Sequence, residues 1–157
     1  MATVFISYRR ADAGDMAGRL ADRLKTLPQV DEVFLDVESI TFGEDFADKI
    51  ANVIRRSDIC LILIGPEWHG PQSGEAGPRI KEDGDFVHME AAMALAGDIR
   101  LMPVLLHGAG MPSMDVLPDD LSALPRLNAF PVRTEFFGQD AELLFDQMFG
   151  ADREKPG

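Results

Sequence analysis

Glu90 is the residue whose type and setting best fit chemistry. It follows a long Gly/Pro-rich loop beginning at Gly65 and falls within Phe86 to Ala96, where Val87, Ala91 and Ala94 recur at helical spacing with Leu95 on the flank. Asp85 stands just before that segment, where a carboxylate can accept the unpaired amides of a first helical turn. Glu90 therefore lies at the edge of the apolar face, half-buried among small side chains. It is also close enough to the helix start for the positive end of the dipole to favour its ionised form. The same pattern describes an ordinary boundary glutamate, and the residues alone leave both readings open.

Three loops, that one included, carry reactive types. Ser7-Tyr8-Arg9-Arg10 places two hydroxyls and two guanidiniums after an apolar run. Guanidinium forks suit a phosphate, and in an acidic chain they equally suit neighbouring carboxylates. The stretch from Asp36 to Asp45 holds Ile40 and Phe42 outside any apolar stripe, with Gly43 beside Phe42. Such a loop either closes over a ligand or a partner, or starts a helix with Phe42 stapled to the core. Trp68, the only tryptophan, sits among Gly65, Pro66, Gly70 and Pro71, where it could stack on a flat heterocycle or cap the sheet edge. His69, His88 and His107 lack metal-ligand spacing with Cys or carboxylates, so no metal site is expected. Neither a G-x-G-x-x-G nor a G-x-x-x-x-G-K-[ST] cradle follows any strand, and no G-x-S-x-G elbow is present.

The elements that must position these residues alternate. Val4 to Ile6, Val33 to Leu35, Ile59 to Ile64 and Leu101 to Leu106 are unbroken apolar runs, as buried parallel strands are. Between them Met16, Leu20, Leu24 and Leu27 make one helical stripe, and Phe46, Ile50, Val53 and Ile54 make another. From His107 to Pro125 the pattern blurs; Ala129 to Val132 suggests a last strand, and Asp140 is expected to cap a final helix carrying Leu144, Phe145, Met148 and Phe149. The sum is an α/β fold, a flavodoxin-like doubly wound five-stranded parallel sheet of order 2-1-3-4-5 with about five helices on both faces. Ligands of such sheets bind beyond the carboxyl ends of the strands where the order reverses, here between strands one and three.

Composition narrows the partners. One domain over residues 1–150 is expected, with 151–157 as a polar tail or linker. A formal net charge of −12 argues against nucleic-acid backbone and anionic membrane as partners. No signal peptide or membrane-spanning run is expected, and the single Cys60, inside an apolar strand, fits a small core residue in a reducing, cytoplasmic setting.

Three motifs in order resemble one family. Val4-Phe5-Ile6-Ser7-Tyr8-Arg9-Arg10 resembles the opening of Toll/interleukin-1 receptor (TIR) domains, Phe34-Leu35-Asp36-Val37-Glu38 to Gly43 their second strand and BB loop, and Asp85-Phe86-Val87-His88-Met89-Glu90 the start of their αC helix. Val116-Leu117-Pro118-Asp119-Asp120 is similar to a segment after their fourth strand. The likeness is greatest to bacterial, NAD-cleaving members. It implies an NAD+ glycohydrolase with Glu90 as the catalytic glutamate. It further implies that Ser7, Tyr8, Arg9, Arg10, Asp36, Phe42, Gly43, Trp68 and Phe86 line the substrate, with Phe86 where an animal NAD-cleaving member has Trp. NAD+ would be a substrate, with no cofactor; the product is ADP-ribose or a cyclic ADP-ribose. The resemblance also implies self-association with other TIR domains, a fused or separate sensor, and a role as effector of a bacterial antiphage defence protein. The alternative is a non-catalytic TIR–TIR interaction module or host-signalling mimic.

Overall fold

The computed structural model describes residues 1–35, 45–70 and 77–155, apart from the side chain of Phe46. Five parallel strands form one sheet: β1 (Ala2–Ser7), β2 (Val30–Phe34), β3 (Ile59–Ile64), β4 (Arg100–Leu106) and β5 (Phe130–Val132). Their order is β2-β1-β3-β4-β5, as expected, with β1 lying between β2 and β3. All six residues of β3 are buried, which explains why its sequence is apolar without alternation: each face of the sheet is covered.

The two faces are covered by different helices. Val4 and Ile6 of β1, with Leu61 and Leu63 of β3, pack on α1 (Arg10–Leu24) and α4 (Phe137–Phe149). The residues of opposite parity, Phe5, Cys60, Ile62 and Ile64, pack on α2 (Phe46–Arg55) and α3 (Phe86–Ala96). Both predicted stripes are recovered: Met16, Leu20, Leu24 and Leu27 are buried on one side, Ile50 and Ile54 on the other.

Two expectations need correction. Four α-helices, rather than five, occur among the described residues, because the stretch between β4 and β5 forms short 3-10 turns at Met114–Val116, Asp119–Leu121 and Leu124–Arg126. Pro118 and Pro125 break any longer helix there. Asp140 does not cap α4, which begins at Phe137; it sits in the first turn and accepts hydrogen bonds from the backbone N–H and guanidinium of Arg133. Beyond α4, Arg153 folds back. Its buried side chain pairs with Glu142 and Asp146 and lies over the Phe145 ring.

Candidate active site

The site forms where β1 ends against α3. Ser7, the last residue of β1, has the parity of Phe5 and so faces the α2/α3 side of the sheet. Its hydroxyl donates to Glu90 Oε1 at 2.9 Å across 83 residues of chain. Glu90 is 5% exposed, more deeply buried than an edge position on α3 suggests. Small neighbours on α3, Ala91 and Ala94, let the helix approach the sheet closely enough for that contact. Phe86 stands one helical turn before Glu90 on the same side of α3 and is partly buried against the same core. Beneath them lies Cys60, whose thiol is pushed well above its ordinary pKa, first by complete burial and then by the Glu90 charge.

Two other carboxylates hold the surrounding loops. Asp85 caps α3 as expected, accepting the His88 N–H at 3.2 Å. It also receives both terminal nitrogens of Arg9, at 2.9 and 2.8 Å, while Arg9 Nε donates to the Trp68 carbonyl at 2.8 Å. Arg79 approaches the same carboxylate at 3.5 Å. Asp12, in the first turn of α1, accepts the backbone N–H groups of Gly65 and Glu67, each at 2.8 Å. One carboxylate thus fixes the start of the loop after β3, and another ties the end of β1 to the start of α3. A third tie lies farther along α3: His88 Nδ1 sits 3.0 Å from the Glu82 carbonyl and Nε2 2.8 Å from Asp120. Sequence alone marks Asp85 as a cap and as part of the αC-like motif with His88, and gives Asp12 no role. A first-turn acid beside a Gly/Pro-rich loop was the local signal; the partners lie too far away in sequence to be read.

The other expected site residues are dispersed. Trp68 is 1% exposed, its ring in the α2/α3 core and its indole N–H without an acceptor among the described residues. At that burial the ring is packed within this core, while its backbone carbonyl meets Arg9. Tyr8 packs against the core on the α1/α4 side, away from the face that Ser7 and Glu90 share. Arg10 begins α1 and is exposed. Asp36, Phe42 and Gly43 lie outside the described residues. Among the described residues no three His, Cys, Asp or Glu side chains gather as metal ligands, and no helix is long and apolar enough to cross a membrane.

Comparison with known proteins bears on this arrangement. The chain is 27% identical over 126 residues to the NAD(+) hydrolase sarm1 of Drosophila melanogaster, a match covering 80% of the chain but only 9% of that protein. Its fold is similar to that of the TIR domains in the activated Roq1 resistosome directly recognising the pathogen effector XopQ. The TM-score is 0.68 at 11% identity, over 95% of this chain and 100% of that one. A prokaryotic SEFIR domain follows with a TM-score of 0.61 at 18% identity, covering 95% and 99%. A metazoan TIR-STING receptor from C. gigas, in complex with 2′,3′-cGAMP, has a TM-score of 0.56 at 19% identity, covering 88% and 38%. A profile of the family described as TIR domain matches residues 4–144, which span the sheet from β1 to β5 and most of α4, and the chain belongs to that family.

Proposed function

We propose that this TIR domain is an NAD+ glycohydrolase, cleaving the bond between nicotinamide and ribose with Glu90 as its catalytic residue. The observation that carries the reading is the buried Ser7–Glu90 pair at the carboxyl end of β1, beside the point where the strand order reverses. The similarity to a protein named as an NAD(+) hydrolase supports the substrate.

The chemistry requires little of the protein beyond one carboxylate. Nicotinamide departs with the bonding electron pair as a neutral molecule, so no acid need protonate it. Positive charge then develops on the ribose. A fixed carboxylate in a site of low polarity stabilises that charge far better than water does. Glu90 would do this either electrostatically or as a transient ribosyl ester, by analogy with retaining glycosidases. Water completes the reaction, giving ADP-ribose and a proton; attack by the adenine ring gives a cyclic product instead. No cofactor is needed, and the neighbours Ser7 and Phe86 supply a hydroxyl and an aromatic wall. We further propose that turnover depends on self-assembly with other copies, as expected of an effector domain in bacterial defence answering to a sensor.

A second reading, a TIR–TIR interaction module, draws on the burial of Glu90: at 5% exposure it is already accommodated as a structural residue. Nicotinamide release from NAD+ decides between them. The domain is assayed at high concentration with a crowding agent, beside Glu90→Gln, which preserves shape and an acceptor for Ser7. Release by the wild type and its loss in the variant, by about 100-fold or more, are expected for removal of a group stabilising transition-state charge. Equal release by both would discard Glu90 as the catalytic residue. No release from either would favour the interaction module.

A further inference from the structure

We propose that Arg9 is a positioning residue for Glu90, setting the placement of α3 against β1 rather than binding the diphosphate of the substrate. The inference rests on the reading of Glu90 as the catalytic group, but the geometry that suggests it stands independently.

Arg9 lies two residues after Ser7, at the turn from β1 into α1, and its side chain is only 11% exposed. Its guanidinium is occupied from two directions. The paired terminal nitrogens meet the two oxygens of Asp85 at 2.9 and 2.8 Å, and Nε meets the Trp68 carbonyl at 2.8 Å. The segment that supplies the Trp68 carbonyl also closes over it: Gly70 has φ +83°, and a Cβ there would stand 3.0 Å from the guanidinium carbon of Arg9 and 2.8 Å from Arg79 Cβ. The backbone passes Arg9 too closely for any side chain. A guanidinium so enclosed is not presented to a phosphate.

The same contacts place α3. Asp85 holds its first turn by capping it, so a fork on Asp85 fixes where the helix begins relative to the end of β1. Ser7 and Glu90 are two and five residues from the two ends of that fork. The Ser7–Glu90 contact of 2.9 Å is therefore governed by a rigid tie immediately beside it. Lysine cannot replace the tie, because a single ammonium cannot span both carboxylate oxygens and reach the carbonyl.

The test is Arg9→Lys, assayed for kcat and KM on NAD+ and followed by amide hydrogen exchange. Misplacing a catalytic group by about 1 Å can cost about 100-fold in rate, so kcat should fall at least about tenfold with KM within about twofold. Asp85→Asn, which keeps a capping oxygen but weakens the fork, should fall comparably, and the double variant should be no worse than the poorer single. Amides at the start of α3, residues 86–90, should exchange faster in Arg9→Lys while β3 stays protected. A rise in KM with kcat unchanged would overturn the proposal and assign Arg9 to substrate. Wild-type protection at residues 86–90 would overturn it too, whether or not the domain turns over NAD+, so failure of the proposed reaction and failure of the tie are read separately. If Arg9→Lys does not fold, Asp85→Asn, which keeps the oxygen that caps α3, carries the same expectations on its own.

Discussion

Gly65→Ala tests whether the loop after β3 is held by Asp12. A Cβ at Gly65 would stand 2.4 Å from Asp12 Oδ1 and 2.8 Å from both Cγ and Oδ2. The methyl and the carboxylate cannot share that space. Asp12 must swing away, and the Gly65 and Glu67 amides, each bonded to it at 2.8 Å, then lose their acceptor. A buried donor left unpaired costs about 1–3 kcal/mol; with the Gly65 amide buried and that of Glu67 partly so, the sum is about 2–4 kcal/mol. That is a large share of the roughly 5–15 kcal/mol typical of a domain. Asp12→Ala removes the same two bonds and should cost a similar amount. In the double variant the methyl has nothing to strike, so the losses should overlap, with a coupling of about 2 kcal/mol in a double-mutant cycle. Urea unfolding at neutral pH measures all four proteins. A Gly65→Ala cost below about 0.5 kcal/mol, or a double variant equal to the sum of the singles, would refute the steric argument.

Two further predictions follow from titrating groups. Cys60 is raised by burial and by the Glu90 charge, so a thiol reagent at about pH 8 should leave the native protein unmodified while reacting fully in urea; rapid native labelling would contradict the packing around it. The Asp140 carboxyl is held below its usual range by hydrogen bonds from Arg133, chiefly its side chain and then its backbone N–H, so its folded pKa lies below the unfolded one. Its contribution is therefore complete above about pH 4 and lost as pH falls through the lower folded value. Asp140→Asn should destabilise at neutral pH, and its difference from wild type in chemical denaturation should shrink on acidification; a difference independent of pH would remove Arg133–Asp140 as the cause.

What could be read from the sequence was whatever depends on nearby residues. The order of the sheet followed from unbroken apolar runs, because strands buried on both faces show no alternation, as β3 demonstrates. The Asp85 cap was legible because cap and amide are three residues apart. Arg9 was not: spacing showed that it could grip an anion, but its carboxylate lies 76 residues away, and only the fold selects Asp85. The depth of Glu90 escaped for the same reason, since an edge position becomes buried when the end of β1 is laid across it. For Trp68 the loop composition left stacking and sheet-edge packing both open, and only the fold shows its ring in the core and its backbone carbonyl on Arg9.

The three carboxylates around the end of β1 are held in different ways. Asp12 is bound by two backbone amides and Asp85 by a guanidinium fork and a helix amide. Breaking either set strands buried donors, so neither carboxylate is available to a ligand at low cost. The Ser7–Glu90 bond differs in kind, because its donor is a neutral hydroxyl on a short side chain. Under the proposed reaction a ribose hydroxyl can replace that donor like for like as the carboxylate turns toward the sugar. The rigid ties at Asp12 and Asp85 serve that exchange by holding both the end of β1 and the start of α3 fixed. Exchange of one hydroxyl donor for another between such fixed segments is a small reorganisation.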